Sequence, residues 1–221
     1  WSPLDGTWSI GEGSAATLET LVSSGSTWKY LDNGTNQGTA WKESSFLDTA
    51  WASGAAQLGY GDGDETTLVS YGGNASNKYI TTYFRKSFTV ADPSVYTSLT
   101  LDLLYDDGAV VYLNGTEVAR VNLPDGTISY NTLASVGDEF TWYTKALNTS
   151  LLVAGTNVLA VEMHQSGVTS SDLSFDLALK ATSGQTVVTN GVPLNPGINR
   201  IRVQTLEGPN GSGNTLVEEY I

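Results

Sequence analysis

Alternation of apolar and polar residues runs through the middle of the chain in short segments, and this pattern predicts β-strands. The clearest segments are 82–90, 98–105, 109–113, 117–122, 157–164 and 173–180. In each of them one set of alternate positions is apolar or small, which is typical of a sheet with one face on a core. Because turn signals separate these strands and no helical pattern exceeds about ten residues, the sequence predicts an all-β sandwich of the jelly-roll type.

The alternation also assigns side chains to the two faces of a strand. In the segment 173–180 it places Phe175, Leu177 and Leu179 inward. In the segment 157–164 it separates Leu159, Val161 and Met163 from Ala160, Glu162 and His164. We therefore expect one face of each strand to pack in the core and the other to carry polar groups.

Two turn signals lie between residues 101 and 122. Asp106-Asp107-Gly108 separates a first strand from a second, and Asn114-Gly115 separates the second from a third. Asn-Gly between alternating apolar residues strongly predicts a hairpin, because both turn positions favour positive φ. The two aspartates can bond their own backbone in a turn, and this role competes with a metal-binding or catalytic one.

The pattern of apolar and polar residues divides the chain into three parts. Residues 1–25 show no sustained period and are predicted to be a lead-in or linker, and 26–182 form the predicted sandwich. Residues 183–221 are a β-rich tail, either docked on the sandwich or part of a following module, since about 40 residues are too few for an independent core. Trp1 is an unusual first residue, so we expect a fragment of a longer, processed chain.

Composition narrows the classes of function. The net charge of -13 repels nucleic-acid backbones and anionic membranes, so neither is an expected partner. No cysteine is present, which rules out disulfides, thiol nucleophiles and cysteine-based zinc sites. The low charged fraction of 15% and the many turn-forming residues are typical of secreted β-proteins, so we expect an extracellular location.

Catalytic residues are few. His164 is the only histidine, so any Ser-His-Asp arrangement must use it. Carboxylates occur close together in several places, and a glycosidase needs two of them at a defined separation. A hydrolase that uses His164 or paired carboxylates is therefore the weakest of three functional hypotheses.

A loop at residues 61–65 is the first candidate for a metal site. Asp62, Asp64 and Glu65 place three carboxylates among glycines, and calcium takes six to eight oxygen ligands from carboxylates and loop carbonyls. The spacing lacks the full EF-hand pattern. A solvated acidic turn explains the same residues equally well.

Carbohydrate binding requires an exposed aromatic ring for the C–H face of a sugar and polar side chains for its hydroxyls. Aromatic residues predicted to lie in or beside Gly- and Asn-rich loops are Tyr60, Tyr71, Tyr79, Trp142 and Tyr143. His164 and Gln165 end a strand and are candidates for the rim of the same site. Arg85 is an outward residue of its strand, where it either binds a ligand or forms a cross-strand ion pair.

Several short motifs occur in order along the chain. They are Trp28-Lys29-Tyr30, Trp51-Ala52-Ser53-Gly54, Leu58-Gly59-Tyr60-Gly61-Asp62-Gly63, Tyr83-Phe84-Arg85-Lys86-Ser87-Phe88, Asp106-Asp107-Gly108-Ala109, Val111-Tyr112-Leu113-Asn114-Gly115, Gly155-Thr156-Asn157-Val158-Leu159-Ala160-Val161-Glu162 and Ser171-Asp172-Leu173-Ser174-Phe175-Asp176. Residues 26–181, which contain them, resemble the galactose-binding-domain-like jelly-roll modules appended to secreted bacterial hydrolases.

This resemblance implies a carbohydrate-binding module with a structural calcium ion. It adds Asp32 and Asp172 as calcium candidates, because such modules often tie an N-terminal loop to the last strand through calcium. It also implies that Trp28, Trp41 and Trp51 are packing residues. We therefore expect a non-catalytic module of a multidomain enzyme whose partners are a polysaccharide and neighbouring domains of the same chain. The alternative is a spacer that packs against a catalytic domain and binds no glycan.

Overall fold

The computed structural model describes residues 7–9, 16–135, 141–184, 191–193, 200–207 and 212–220, with side chains placed for 16–135 and 142–184. The described strands are β1 (Thr7–Ser9), β2 (Leu18–Val22), β3 (Thr27–Leu31), β4 (Ala52–Ala55), β5 (Leu58–Tyr60), β6 (Thr67–Leu68), β7 (Thr81–Val90), β8 (Tyr96–Asp106), β9 (Gly108–Leu113), β10 (Thr116–Val121), β11 (Thr141–Leu147), β12 (Gly155–His164), β13 (Leu173–Ser183), β14 (Gly191–Pro193), β15 (Arg200–Glu207) and β16 (Ser212–Tyr220). Short 3₁₀ turns lie at Ala40–Lys42, Pro93–Val95 and Thr149–Leu151. No helix among the described residues has the length and apolar character needed to cross a membrane.

The strands fall into two compact units. The larger unit is Ala16–Gly184, and the smaller unit combines Trp1–Ala15 with Gln185–Ile221. Within the smaller unit β1 pairs with β14, and β15 pairs with β16, both antiparallel. The extra β segment predicted near the C-terminus is therefore present as strands.

The larger unit is a sandwich of two six-stranded sheets. Sheet I has the strand order β10-β9-β12-β7-β3-β4, and sheet II has the order β11-β8-β13-β5-β6, with β2 also paired to β13. All pairs are antiparallel except β5 with β6. The predicted all-β sandwich is confirmed.

Apolar side chains from the inner faces of both sheets form the main core. Phe175 of sheet II has no exposed surface, stacks on Phe84 at a ring-centroid distance of 4.2 Å, and meets Trp28 edge-on at 4.9 Å. The inward residues that alternation predicts are all in this core: Leu159, Val161, Met163, Phe175, Leu177 and Leu179. Trp28 is a packing residue, as expected.

The two turn signals behave differently. Asn114 and Gly115 have φ values of 51° and 82°, and they join β9 to β10 in the predicted hairpin. The link at Asp107, in contrast, carries the chain from β8 in sheet II to β9 in sheet I. The first turn is therefore a crossover between sheets and not a hairpin.

The ends of the larger unit lie beside each other. β2 pairs with the last part of β13, with Leu18 opposite Thr182. Just beyond this pair, the Ser183 amide donates to the Thr17 carbonyl over 2.9 Å. The sequence prediction starts the sandwich at 26, whereas the structure includes β2 in sheet II. This short strand has an exposed outer half and shows little alternation, so its pairing has no clear signal in the sequence.

Residues 36–51, here called the covering segment, lie across the outer face of sheet I. Trp41 and Trp51 of this segment are 1% and 6% exposed and pack against Tyr83 of β7. Phe46 packs beside Trp51 at a ring-centroid distance of 5.8 Å. Trp41 and Trp51 are packing residues, as expected, and the covering segment adds a second apolar cluster outside the main core.

Arg85 fastens the covering segment to sheet I. Its guanidinium is buried, and its Nε lies 3.0 Å from Oδ2 of Asp48. It also donates to the backbone carbonyls of Trp41, Glu43 and Phe46. The buried Arg85 side chain thus forms hydrogen bonds with oxygen atoms along most of the covering segment, which has almost no regular secondary structure.

Candidate ligand-binding site

The outer face of sheet II is partly exposed: Trp142 on this face is 49% exposed, although Leu104 and Asp176 are buried. Strand register places Trp142, Leu104 and Asp176 in one row across β11, β8 and β13. The next row holds Thr144, Asp102 and Ala178. A third row contains Ala146, Thr100 and Lys180, and β2 adds Thr20 beside Lys180.

A groove of about 550 Å³ follows this face. Its lining residues are Thr20, Ser23, Ser24, Asp102, Trp142, Ala178 and Lys180. We call it the sheet II groove. Trp142 is 49% exposed, which is unusual for the largest apolar side chain, and its neighbours in the groove are mainly polar.

The polar side of the groove is pre-arranged by contacts within the protein. Lys180 Nζ lies 2.8 Å from Asp102 Oδ2, and the Thr144 hydroxyl donates to Asp102 Oδ1 over 2.7 Å. Burial alone favours the neutral acid, but the hydrogen bonds from Lys180 and Thr144 outweigh it and lower the pKa of Asp102. Asp102 therefore stays an ionised acceptor beside a cationic donor at neutral pH.

One edge of the groove is held by Asp176. The Ser24 hydroxyl and the Gly25 amide both donate to its carboxylate, and the Leu177 amide donates to Oδ1 over 2.7 Å. These bonds fix the turn that follows β2 against β13. The hydroxyls of this turn thus occupy set positions at the margin of the groove.

This arrangement supplies the two components that sugar recognition needs. An exposed indole ring can contact the C–H face of a pyranose, and the neighbouring carboxylate, ammonium and hydroxyl groups can bond its hydroxyls. Of the predicted ligand-binding residues, Trp142 lies in this groove. Tyr143, next to it, points the other way and packs against the main core.

The predicted tyrosines of the loop region lie elsewhere. Tyr60 is 6% exposed and packs at a ring-centroid distance of 5.1 Å from the half-buried Tyr71. Lys78 Nζ lies over both rings. Tyr79 is half-buried and lies close to the backbone at Gly72. Tyr60 and Tyr71 thus pack together, apart from the groove, and Tyr60 does not form an exposed platform.

Three other predicted ligand residues are buried. Arg85 is 2% exposed and pairs with Asp48 of the covering segment, which lies in no strand, so the predicted cross-strand ion pair is not the one that forms. His164 has no exposed surface, and its Nδ1 lies 2.8 Å from the Thr132 carbonyl. Gln165 is 1% exposed. Loops pack over the outward face of these strands. The three side chains therefore do not lie at the exposed rim of a binding site.

Acidic side chains gather at one end of sheet II. Carboxylate oxygens of Asp62, Asp106 and Asp172 lie within 4.8 Å of one another. Asp106 is 1% exposed, and Ser174 donates to Asp62 Oδ2 over 3.0 Å. Burial and the neighbouring carboxylates raise the pKa of Asp62, against the Ser174 hydrogen bond. The grouping joins the predicted metal residues Asp62 and Asp172 with Asp106, for which the sequence leaves a turn role and a metal-binding role in competition.

The remaining metal candidates have different roles. Asp62, Asp64 and Glu65 form a second acidic group, in which Glu65 accepts hydrogen bonds from the amides of Asp62 and Gly63. These hydrogen bonds fit the acidic turn, which is the alternative to a metal-binding loop at these residues. Asp32 belongs to neither group of described acidic residues, and its carboxylate accepts from the Ser70 amide over 2.6 Å.

The sequence predicts Trp142 as a ligand-binding aromatic in or beside a loop, but it does not predict the partners of Trp142 in the groove. Lys180 follows the alternation of β13, and its outward position was readable. Ser23 and Ser24 had no signal, because the pairing of β2 with β13 joins residues about 150 positions apart in the chain.

Among the comparisons with known proteins, only the one with solved structures finds similar chains. The chain matches no protein-family model and no curated protein. A β-glucuronidase from Bacteroides uniformis is 19% identical, with a TM-score of 0.49, over 76% of this chain and 18% of its own. A β-glycosidase from Bacteroides vulgatus is 17% identical, with a TM-score of 0.47, over 92% of this chain and 28% of its own.

A β-glucuronidase from an uncultured Clostridium species is 12% identical, with a TM-score of 0.48, over 100% of this chain and 40% of its own. The chain thus spans less than half the length of each of these glycosidases. At these identities and TM-scores the similarities assign neither a family nor an activity to the chain.

Proposed function

We propose that the larger unit is a carbohydrate-binding module that holds a polysaccharide in the sheet II groove. The observation that carries the proposal is the exposed Trp142 beside the Asp102–Lys180 pair in a groove on the outer face of sheet II. A groove that runs across strands suits an extended glycan. The resemblance of the sequence motifs to galactose-binding-like modules supports the same function.

The net charge favours a neutral glycan over an acidic one. Trp142 supplies the apolar platform, Asp102 accepts from sugar hydroxyls, and Lys180 donates to them. Because the ion pair already fixes both polar groups, little side-chain freedom is lost on binding. We also propose that the module belongs to a secreted enzyme of several domains, with the neighbouring domains of the same chain as its other partners.

Trp142→Ala is expected to weaken glycan binding about thirtyfold, because a central aromatic contact contributes about 2 kcal/mol. The measurement is a glycan array followed by calorimetric titration of the best binder. Leu133→Ala is the matched control, since Leu133 is 46% exposed and outside the groove. Wild-type protein that binds no glycan would leave the spacer alternative in place, and equal effects of the two substitutions would move the site elsewhere.

A calcium ion is proposed at Asp62, Asp106 and Asp172. The three carboxylates come from separate segments and meet within 4.8 Å, which suits a hard cation with several oxygen ligands. Gly61 has a φ of +117°, and a Cβ there would lie 2.5 Å from Cβ of Asp172, so the chain passes close enough to bring Asp62 alongside. The ion would tie the ends of three strands of sheet II together.

Calcium at about a hundred times its Kd is expected to raise the melting temperature by about 5–10 °C, since an ion bound only by the native state stabilises it. Scanning calorimetry with calcium and with EDTA measures this. Asp172→Asn should abolish the shift, while Asp125→Asn, an exposed aspartate outside both groups, should retain it. A shift that survives Asp172→Asn but not Asp64→Asn would place the ion in the acidic turn.

A further inference from the structure

A separate cavity lies on the opposite side of the sandwich, between the covering segment and sheet I. Its volume is about 210 Å³. The floor is formed by Tyr83, Tyr112 and Glu162 of neighbouring strands β7, β9 and β12. The covering segment and the loop at 128–130 form its walls. We call it the sheet I pocket.

Four aromatic side chains line part of the sheet I pocket. Trp41 lies at ring-centroid distances of 4.7 Å from Tyr83 and 5.8 Å from Tyr112. Tyr130 completes the aromatic lining from the loop side. Burial and the nearby Glu162 raise the pKa values of Tyr83, to about 12, and of Tyr112, so both phenols keep their protons at neutral pH.

Two charged side chains of opposite sign line the same cavity. Glu162 is 6% exposed, and its Oε1 accepts from the Tyr112 hydroxyl over 2.8 Å. His164 Nε2 lies 3.3 Å from Oε2 of Glu162, without hydrogen-bond geometry. Lys42 Nζ lies 4.5 Å from the centroid of the Tyr112 ring. Among the described ion pairs none joins Lys42 to Glu162.

These contacts restrict the ligand. An anion would meet the buried carboxylate of Glu162, and a cation would meet the ammonium of Lys42. A neutral hydroxylated ring offers donors to Glu162, acceptors to Lys42 and C–H faces to the aromatic walls. The volume lies below the 300–1,000 Å³ or so that drug-sized ligands occupy, and this suits one ring and not a chain.

We propose that the sheet I pocket is a second ligand site that takes a single neutral sugar ring, independent of the sheet II groove. The buried Arg85 is a positioning residue for it, because its hydrogen bond to the Trp41 carbonyl holds the aromatic wall in place. The proposal stands whether or not the groove binds a polysaccharide, since the two sites share no residue.

The test uses methyl glycosides of glucose, galactose, mannose, xylose and N-acetylglucosamine as probes. Saturation-transfer NMR detects binding, and titration gives Kd for the best of them. Glu162→Gln and Lys42→Met are each expected to weaken that Kd at least tenfold. Lys145→Met, a lysine outside both sites, and Trp142→Ala in the groove should leave it unchanged.

Three results would overturn the proposal. They are a lack of binding by every glycoside, loss of binding in Trp142→Ala but not in Glu162→Gln, and preferential binding of tetramethylammonium over the sugars. Melting temperatures of all variants are measured alongside, and Tyr112→Phe provides a second, milder change at the pocket floor if Glu162→Gln fails to fold. A tenfold loss in Tyr112→Phe with native stability supports the site equally well.

Discussion

Arg85→Met is expected to lower the free energy of unfolding by about 3 kcal/mol or more. The substitution leaves Asp48 without its cation and removes the donors for three backbone carbonyls of the covering segment. Each buried polar group left without a partner costs about 1–3 kcal/mol, and removal of one member of a buried ion pair costs about 3–5 kcal/mol. Urea unfolding followed by tryptophan fluorescence measures the loss.

Arg120→Met is the matched control for this substitution. Near the surface, Arg120 Nη2 lies 2.8 Å from Glu117 Oε2, and its Nη1 also donates to the exposed carbonyls of Pro124 and Gly126. Pairs of this kind contribute about 0–1 kcal/mol. Equal losses from the two arginines would show that the covering segment does not depend on Arg85. Faster hydrogen exchange confined to residues 40–51 in Arg85→Met would show directly that it does.

Phe175→Ala is expected to destabilise the protein by about 3–5 kcal/mol. Phe175 is fully buried between the sheets, where it contacts Phe84 and Trp28, so its removal opens a cavity that a two-sheet core cannot close. Thermal and urea unfolding both report the change. Leu47→Ala, at a side chain that is 81% exposed, should change stability by about 0.5 kcal/mol or less. A small loss at Phe175 would contradict the described core.

The main core could be predicted from sequence because strand alternation is a local property. Leu159, Val161 and Met163 occupy one face of β12, and all three lie in the core. The same pattern identified the outward face that carries Glu162. Period-two patterns of this kind need no knowledge of the rest of the chain.

The burial of the outward face could not be predicted in this way. Alternation places Arg85 and His164 outside the core, but whether that face meets water depends on what else packs there. The covering segment shows no period of apolar and polar residues and has little regular structure. Its position on sheet I therefore could not be predicted from a sequence pattern. Only the packing role expected for Trp41 and Trp51 indicated that it packs.

Strand β11 shows a related difficulty. Trp142 and Tyr143 are predicted in or beside a loop, whereas β11 begins at Thr141. Lys145 stands in the inward series of this edge strand, between Tyr143 and Leu147, and breaks the alternation. The sequence therefore predicts Trp142 as a loop residue, whereas its exposure comes from its position on the outer face of sheet II.

The adjacent ends of the larger unit have a mechanical consequence. Thr17 and Ser183 are neighbours at one end of the antiparallel pair β2–β13, so a force that pulls them apart loads the hydrogen bonds between these strands one at a time. Tension would peel β2 from β13, beginning at the Leu18–Thr182 pair. Because β2 also carries Thr20 and leads into the serines of the sheet II groove, stretching the chain would dismantle that groove first.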